Sequence, residues 1–133
     1  MNVVDIEGVG PAQAAKLEAA GVRTTDALLQ RGATAKGREE LAAATGISPK
    51  SILEWVNIVD LYRIKGVGSE FADLLEAAAV DTVAELAQRN AKNLAETFAE
   101  LDMGRNTVRR IPTEAEVQGW IDQAKALPRV VEY

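Results

Sequence analysis

Two glycine triplets offer the clearest chemistry in this chain. Gly8-Val9-Gly10 follows Ile6 and precedes Ala14 and Leu17; Gly66-Val67-Gly68 follows Ile64 and precedes Ala72 and Leu75. Glycine tolerates positive φ and lets the backbone approach a ligand closely. A helix that starts directly after such a turn points unpaired N–H groups and a partial positive charge outward. That chemistry is anion binding, and phosphate oxygens fit it. Val9 and Val67 are expected to face inward and hold each turn on the core, with Ala14 and Ala72 small enough for helices to cross closely. The same shape also serves as a packing corner with no ligand, so both readings stand.

Charge argues the other way. The chain carries a formal net charge of −5, whereas nucleic-acid affinity comes largely from Lys and Arg displacing counterions from phosphates. Residues 3–23 hold Lys16 and Arg23 against Asp5, Glu7 and Glu18, a net of −1. Residues 61–81 hold Arg63 and Lys65 against Glu70, Asp73, Glu76 and Asp81, a net of −2. Basic residues are denser at Arg105, Arg109 and Arg110, with no acid between Met103 and Pro112.

Composition removes many alternatives. The chain has no Cys and no His, which excludes thiol nucleophiles, imidazole acid/base catalysis, disulfides and the usual zinc sites. Asp and Glu are scattered as on solvated helix surfaces, and no nucleophile stands beside a base, so no enzyme and no metal site is expected. Aromatic content of 5% disfavours base stacking on a single strand; Trp55 and Trp120 read as core anchors. The opening residues lack the basic start and apolar run of a secretory signal, and no stretch approaches the roughly 20 apolar residues of a membrane span. A cytoplasmic location is expected.

The elements that must position the triplets repeat as well. Shifting the chain by 58 positions aligns residues 6–33 with 64–91, with 15 of 28 pairs identical. A shift of 65 pairs Ser48 with Thr113, Ile52 with Val117, Trp55 with Trp120 and Val56 with Ile121, which leaves about seven extra residues in the second copy near Met103 to Ile111. Periods of this size indicate duplicated supersecondary units. We expect an all-α fold of two tandem units, 1–60 and 61–133, with about five short helices each, sharing a helix near 50–62 and packed as one body. The helices expected are one opening at Gly10-Pro11 and ending at Ala20-Gly21, Thr-led helices from Thr24 or Thr25 through Arg31 and from Thr82 through Arg89, helices over Ala35–Thr45 and Ala91–Leu101, and closing helices opened by Ser48-Pro49 and by Thr113.

On the two triplets with their flanking segments, roughly 3–23 and 61–81, the chain resembles the helix-hairpin-helix superfamily, seen in DNA-repair and recombination proteins as paired hairpins that grip the duplex backbone without reading sequence. Over its whole length it looks like an uncharacterised bacterial domain-of-unknown-function family with two such motifs. The resemblance implies phosphate-facing turns at Gly8, Val9, Gly10 and at Gly66, Val67, Gly68, with a monovalent cation held by turn carbonyls. It also implies weak, sequence-independent binding of duplex DNA, helped by Lys16, Arg63, Lys65 and the Arg105–Arg110 loop. Lysine Schiff-base chemistry occurs in some relatives, but nothing singles out Lys16 or Lys65 for it. The first turn after each triplet departs from the basic pattern of DNA-binding members, holding Pro11, Ala12, Gln13 and Ser69, Glu70, Phe71. The alternative is an acidic helical protein-interaction module in which the hairpins are purely structural.

Overall fold

The computed structural model describes residues 1–6, 8–105 and 110–133, with only the backbone given for 102–105. It is all-α: eight helices and no strand among the described residues. Contacts divide the chain into two compact units, Met1–Asp60 with Val130–Tyr133, and Leu61–Arg129.

The first unit opens with a 3-10 turn at Val3–Asp5, followed by α1 (Gly10–Ala19), α2 (Thr25–Gly32), α3 (Ala35–Thr45) and α4 (Pro49–Leu61), the last of which carries the chain to the second unit. No α-helix precedes the first glycine triplet. Instead Met1 to Val3 lie along residues 23–25, with an isolated antiparallel bridge between Asn2 and Thr24, a Val3 amide to Arg23 carbonyl bond of 3.0 Å and a Thr25 amide to Met1 carbonyl bond of 3.0 Å. The second unit holds α5 (Ser69–Ala77), α6 (Val83–Leu86), α7 (Ala91–Arg105) and α8 (Glu114–Ala126).

Burial follows the sequence pattern in each unit. Ile6, Val9, Ala14, Leu17, Val22 and Leu28 are buried, and so are Ile64, Val67, Ala72, Leu75, Val80 and Leu86, each 58 positions later. The closing helices bury Ile52, Trp55 and Val56 in one unit and Val117, Trp120 and Ile121 in the other. Both tryptophans are therefore core residues.

The turns that stop α1 and α5 share one hydrogen-bond pattern. Val22 donates to the Leu17 carbonyl at 2.8 Å and Gly21 to Glu18 at 3.0 Å; Val80 donates to Leu75 at 2.9 Å and Ala79 to Glu76 at 2.9 Å. This closure needs a left-handed residue just past the helix. Gly21 takes it at φ +87°, and Ala79 takes it at φ +66° despite its Cβ. An arginine eleven residues on reaches back to the carbonyl at the helix end in both cases, Arg31 Nη1 to Ala20 and Arg89 Nη1 to Ala78, each at 3.4 Å.

Residues Val130–Tyr133 belong to the first unit through Arg38, which is buried on α3. Arg38 Nη1 donates to the Gly32 carbonyl at 2.8 Å and to the Ala33 carbonyl at 3.2 Å, and its Nη2 to the Glu132 carbonyl at 2.6 Å. The Glu132 amide donates in turn to Ala33 at 2.7 Å. A cation thus sits on the orphan carbonyls at the end of α2, where the helix dipole favours it.

Candidate functional site

Helix starts set the chemistry of both glycine corners. An α-helix leaves its first N–H groups without an internal acceptor, and a Ser, Thr, Asn or Asp side chain normally takes one of them. Six of the eight helices follow that rule. Thr24 accepts from Ala27 N at 3.1 Å, Thr34 from Gly37 N at 3.0 Å, Ser48 from Ser51 N at 3.2 Å, Thr82 from Glu85 N at 3.3 Å, Asn90 from Asn93 N at 3.0 Å and Thr113 from Glu116 N at 3.1 Å. The exceptions are α1 and α5, the helices that start at the glycine corners, and neither has a side-chain cap.

In the first corner Gly8 sits at φ +90° and Gly10 at φ +69°, both exposed, and a Cβ built on either meets nothing within 4 Å. Val9 is buried between them, and its amide donates to the Ile6 carbonyl at 3.1 Å. Glu7 lies outside the described residues. Pro11 contributes no N–H, so the donors here are those of Ala12 and Gln13 with Gly10 itself. Lys16 is exposed on α1, six residues beyond Gly10 and so about 9 Å along the helix axis.

The second corner is built on the same frame and furnished differently. Val67 is buried and donates to the Ile64 carbonyl at 3.1 Å, and Gly66 takes φ +95°. Gly68 is extended at φ −101°, ψ −165°, with nothing within 4 Å of a Cβ placed there. Both edges of the Lys65 peptide are held by one side chain: Lys65 N donates to Gln123 Oε1 at 2.8 Å, and Gln123 Nε2 donates to the Lys65 carbonyl at 3.1 Å. A Cβ on Gly66 would lie 3.1 Å from Trp120 Nε1. Sequence reading missed Gln123 and Trp120 as neighbours of the corner, because α8 supplies both and its docking position is a tertiary fact.

Charge at this corner is partly gathered and partly spent. Lys65 is exposed. Arg63 Nη2 donates to the Pro128 carbonyl at 2.7 Å. Arg110 stacks over Phe71, in the first turn of α5, 5.5 Å from the ring centroid, while Phe71 lies 5.3 Å from the Trp120 ring. The fold therefore brings one arginine of the Arg105–Arg110 stretch beside α5. Its fork is taken by Glu116, at 2.5 and 2.8 Å. The hydrogen bond from Arg110, joined by the Thr113 amide, holds the Glu116 carboxyl down to about 2. Residues 106–109, and the side chain of Arg105, lie outside the described residues.

The turn carbonyls of Ile6 and Ile64 each accept an amide. Among the described residues no group of three acidic side chains gathers as a metal site, and no helix is long and apolar enough to cross a membrane. Lys16 and Lys65 are exposed.

A family model described as Domain of unknown function (DUF4332) matches residues 7–127. The chain belongs to the DUF4332 family. That DUF4332 match takes in both glycine corners, the capped helices and the Trp120–Gln123 stretch of α8. No curated protein and no solved structure matches the chain.

Proposed function

We propose that this DUF4332 protein is a non-enzymatic, duplicated helix-hairpin-helix protein that binds duplex DNA weakly and without sequence preference through backbone amides at its glycine corners. One observation carries the reading: the helices left without a side-chain cap, α1 and α5, are the two that start at exposed glycines. An exposed helix start with no cap and a glycine-lined approach suits a phosphate oxygen. Matching bonds at positions 58 apart, including Val9 to Ile6 and Val67 to Ile64 at 3.1 Å, support duplication of the unit. Lys16 and Lys65 supply the exposed cations, and each corner acts by itself.

Gly68→Asp tests the reading with little risk to the fold. The extended backbone at Gly68 suits an aspartate cap, and the Cβ has open space. A carboxylate there satisfies the first turn of α5 internally and repels phosphate. Anisotropy of a short labelled duplex at about 50 mM salt is expected to show binding by the natural chain and a loss of about tenfold in the variant. Equal binding by both proteins overturns the corner as the contact.

A second reading follows from how the arginines are used. Arg110 is paired with Glu116 and Arg63 is bonded to the Pro128 carbonyl, in a chain of net charge −5. That distribution suits an acidic surface for a basic protein partner. Capture of a specific protein that survives nuclease treatment, with no duplex binding at low salt, would favour it.

A further inference from the structure

We infer that Val130–Tyr133 is an exchangeable arm, and that its seat at the end of α2 takes the same four residues of a second copy of this chain. The inference is independent of DNA binding. In sequence the arm continues the second unit, which runs to Arg129, yet it packs into the first. A built peptide site holds it there. Arg38, 4% exposed, donates through Nη2 to the Glu132 carbonyl at 2.6 Å, and the Glu132 amide donates to the Ala33 carbonyl at 2.7 Å. Both polar groups of one peptide residue are thus met, the carbonyl by a charged donor, which makes the stronger kind of hydrogen bond. Val131, at 2% exposed, is buried in the first unit, while the Glu132 and Tyr133 side chains face solvent. The site therefore recognises a peptide by the backbone of one residue and the branched apolar side chain before it.

A second copy carries that pattern by identity, so it fits the seat without any change. The arm is joined to α8, which ends at Ala126, by Leu127, Pro128 and Arg129. Proline fixes its own φ and biases the residue before it away from helix, and Leu127 is extended at φ −92°, ψ 141°. A stiff, extended joint favours an arm that reaches outward over one that folds back on its own helix. Four residues with one buried side chain also open at lower cost than the packed helices do. Once open, the arm can remake each contact on another copy, the low-cost route to a dimer by exchange of an identical element. The tether opposes this, since a short linker holds the arm over its own seat at an effective concentration of about 1 mM. Exchange therefore grows as the protein approaches that concentration.

Two variants separate arm from seat. Val131→Asp disables the arm and leaves the seat; Arg38→Met disables the seat and leaves the arm. Sedimentation of the natural chain is expected to show monomer at about 10 µM and a weight-average mass rising toward that of a dimer as concentration passes about 1 mM, with Val131→Asp monomeric throughout. Mixing 15N-labelled Val131→Asp with unlabelled Arg38→Met at about 1 mM each is expected to return the Ala33 and Arg38 amide resonances toward their positions in the natural chain. Should Arg38→Met fail to fold, a synthetic peptide of residues 127–133 serves as the arm donor in the same titration. Resonances that stay in place with either donor overturn the exchange and leave the arm a fixed part of its own first unit. Self-association that persists in Val131→Asp overturns the arm as the link and assigns the contact to another surface.

Discussion

Ala79 and Gly21 do the same conformational work with different side chains. Both sit in the left-handed region, at φ +66° and φ +87°. An L residue there costs about 1–2 kcal/mol, and glycine returns about 0.4–1 kcal/mol of that through its freer unfolded chain. Ala79→Gly is expected to stabilise the protein by about 0.5–1 kcal/mol, and Gly21→Ala to destabilise it by a similar amount, read from urea midpoints at constant slope. At Gly21 the nearest atom to a new Cβ is Arg31 Nη1 at 3.9 Å, so the cost there is conformational rather than steric. Two carboxyls add opposite pH dependences. Glu116, held at about 2 against an ordinary 4.5 by its Arg110 hydrogen bond, gives stability that is complete above about pH 4.5 and fades as pH falls toward 2. Asp81 is pushed up from 3.8 by burial first and by Glu85 second. Its contribution is present below 3.8 and lost as pH rises through the raised value. Asp81→Asn keeps the neutral form at every pH, so the variant is expected to be more stable than the natural chain at pH 7, with the gap shrinking at pH 3.

Among the elements, helix starts were the legible part. Thr24, Thr82 and Thr113 each stand where a cap is needed, and each accepts the expected amide. The helix expected over Ala35–Thr45 has those bounds in the structure, while α7 continues past Leu101 to Arg105 and the helix expected through Arg89 stops at Leu86. Two features were not legible. Residues Val3–Asp5 form only a 3-10 turn, because Met1 to Val3 are drawn into backbone bonds with residues 23–25, and a partner twenty residues away leaves no local signature. The contacts of the second corner come from α8, with Gln123 58 residues beyond Lys65, so Gln123 and Trp120 could be read from sequence only as helix residues. Caps also give a measurable contrast. Thr82→Ala is expected to cost about 1 kcal/mol, since it removes the oxygen that Glu85 N donates to. Gly68→Asp is expected to gain about 0.5–1 kcal/mol from a new cap and a less flexible unfolded chain, even as it removes the anion seat. A stabilised variant that no longer binds would mean α5 forgoes a cap to keep its amides available.

For the whole molecule, the disagreement between motif and charge becomes a quantitative expectation. Near the corners the structure leaves Lys16 and Lys65 exposed, while the Arg63 guanidinium donates to Pro128 and the Arg110 fork is taken by Glu116. Each cation that neutralises a phosphate contributes about −0.9 to the slope of log affinity against log salt. Two such contacts give a slope of about −1.8, or roughly a tenfold loss between 50 and 200 mM salt, against the 10³–10⁵ loss of a protein making six to ten contacts. Backbone amides carry no net charge, so affinity drawn from them survives added salt better than affinity drawn from lysines. Duplex binding measured across that range should therefore be weak and shallow in its salt dependence, and Lys65→Gln should flatten the slope by about one unit while leaving the thermal midpoint near that of the natural chain. A slope near −6 would assign the binding to basic residues spread elsewhere on the chain, and the glycine corners would then serve packing alone.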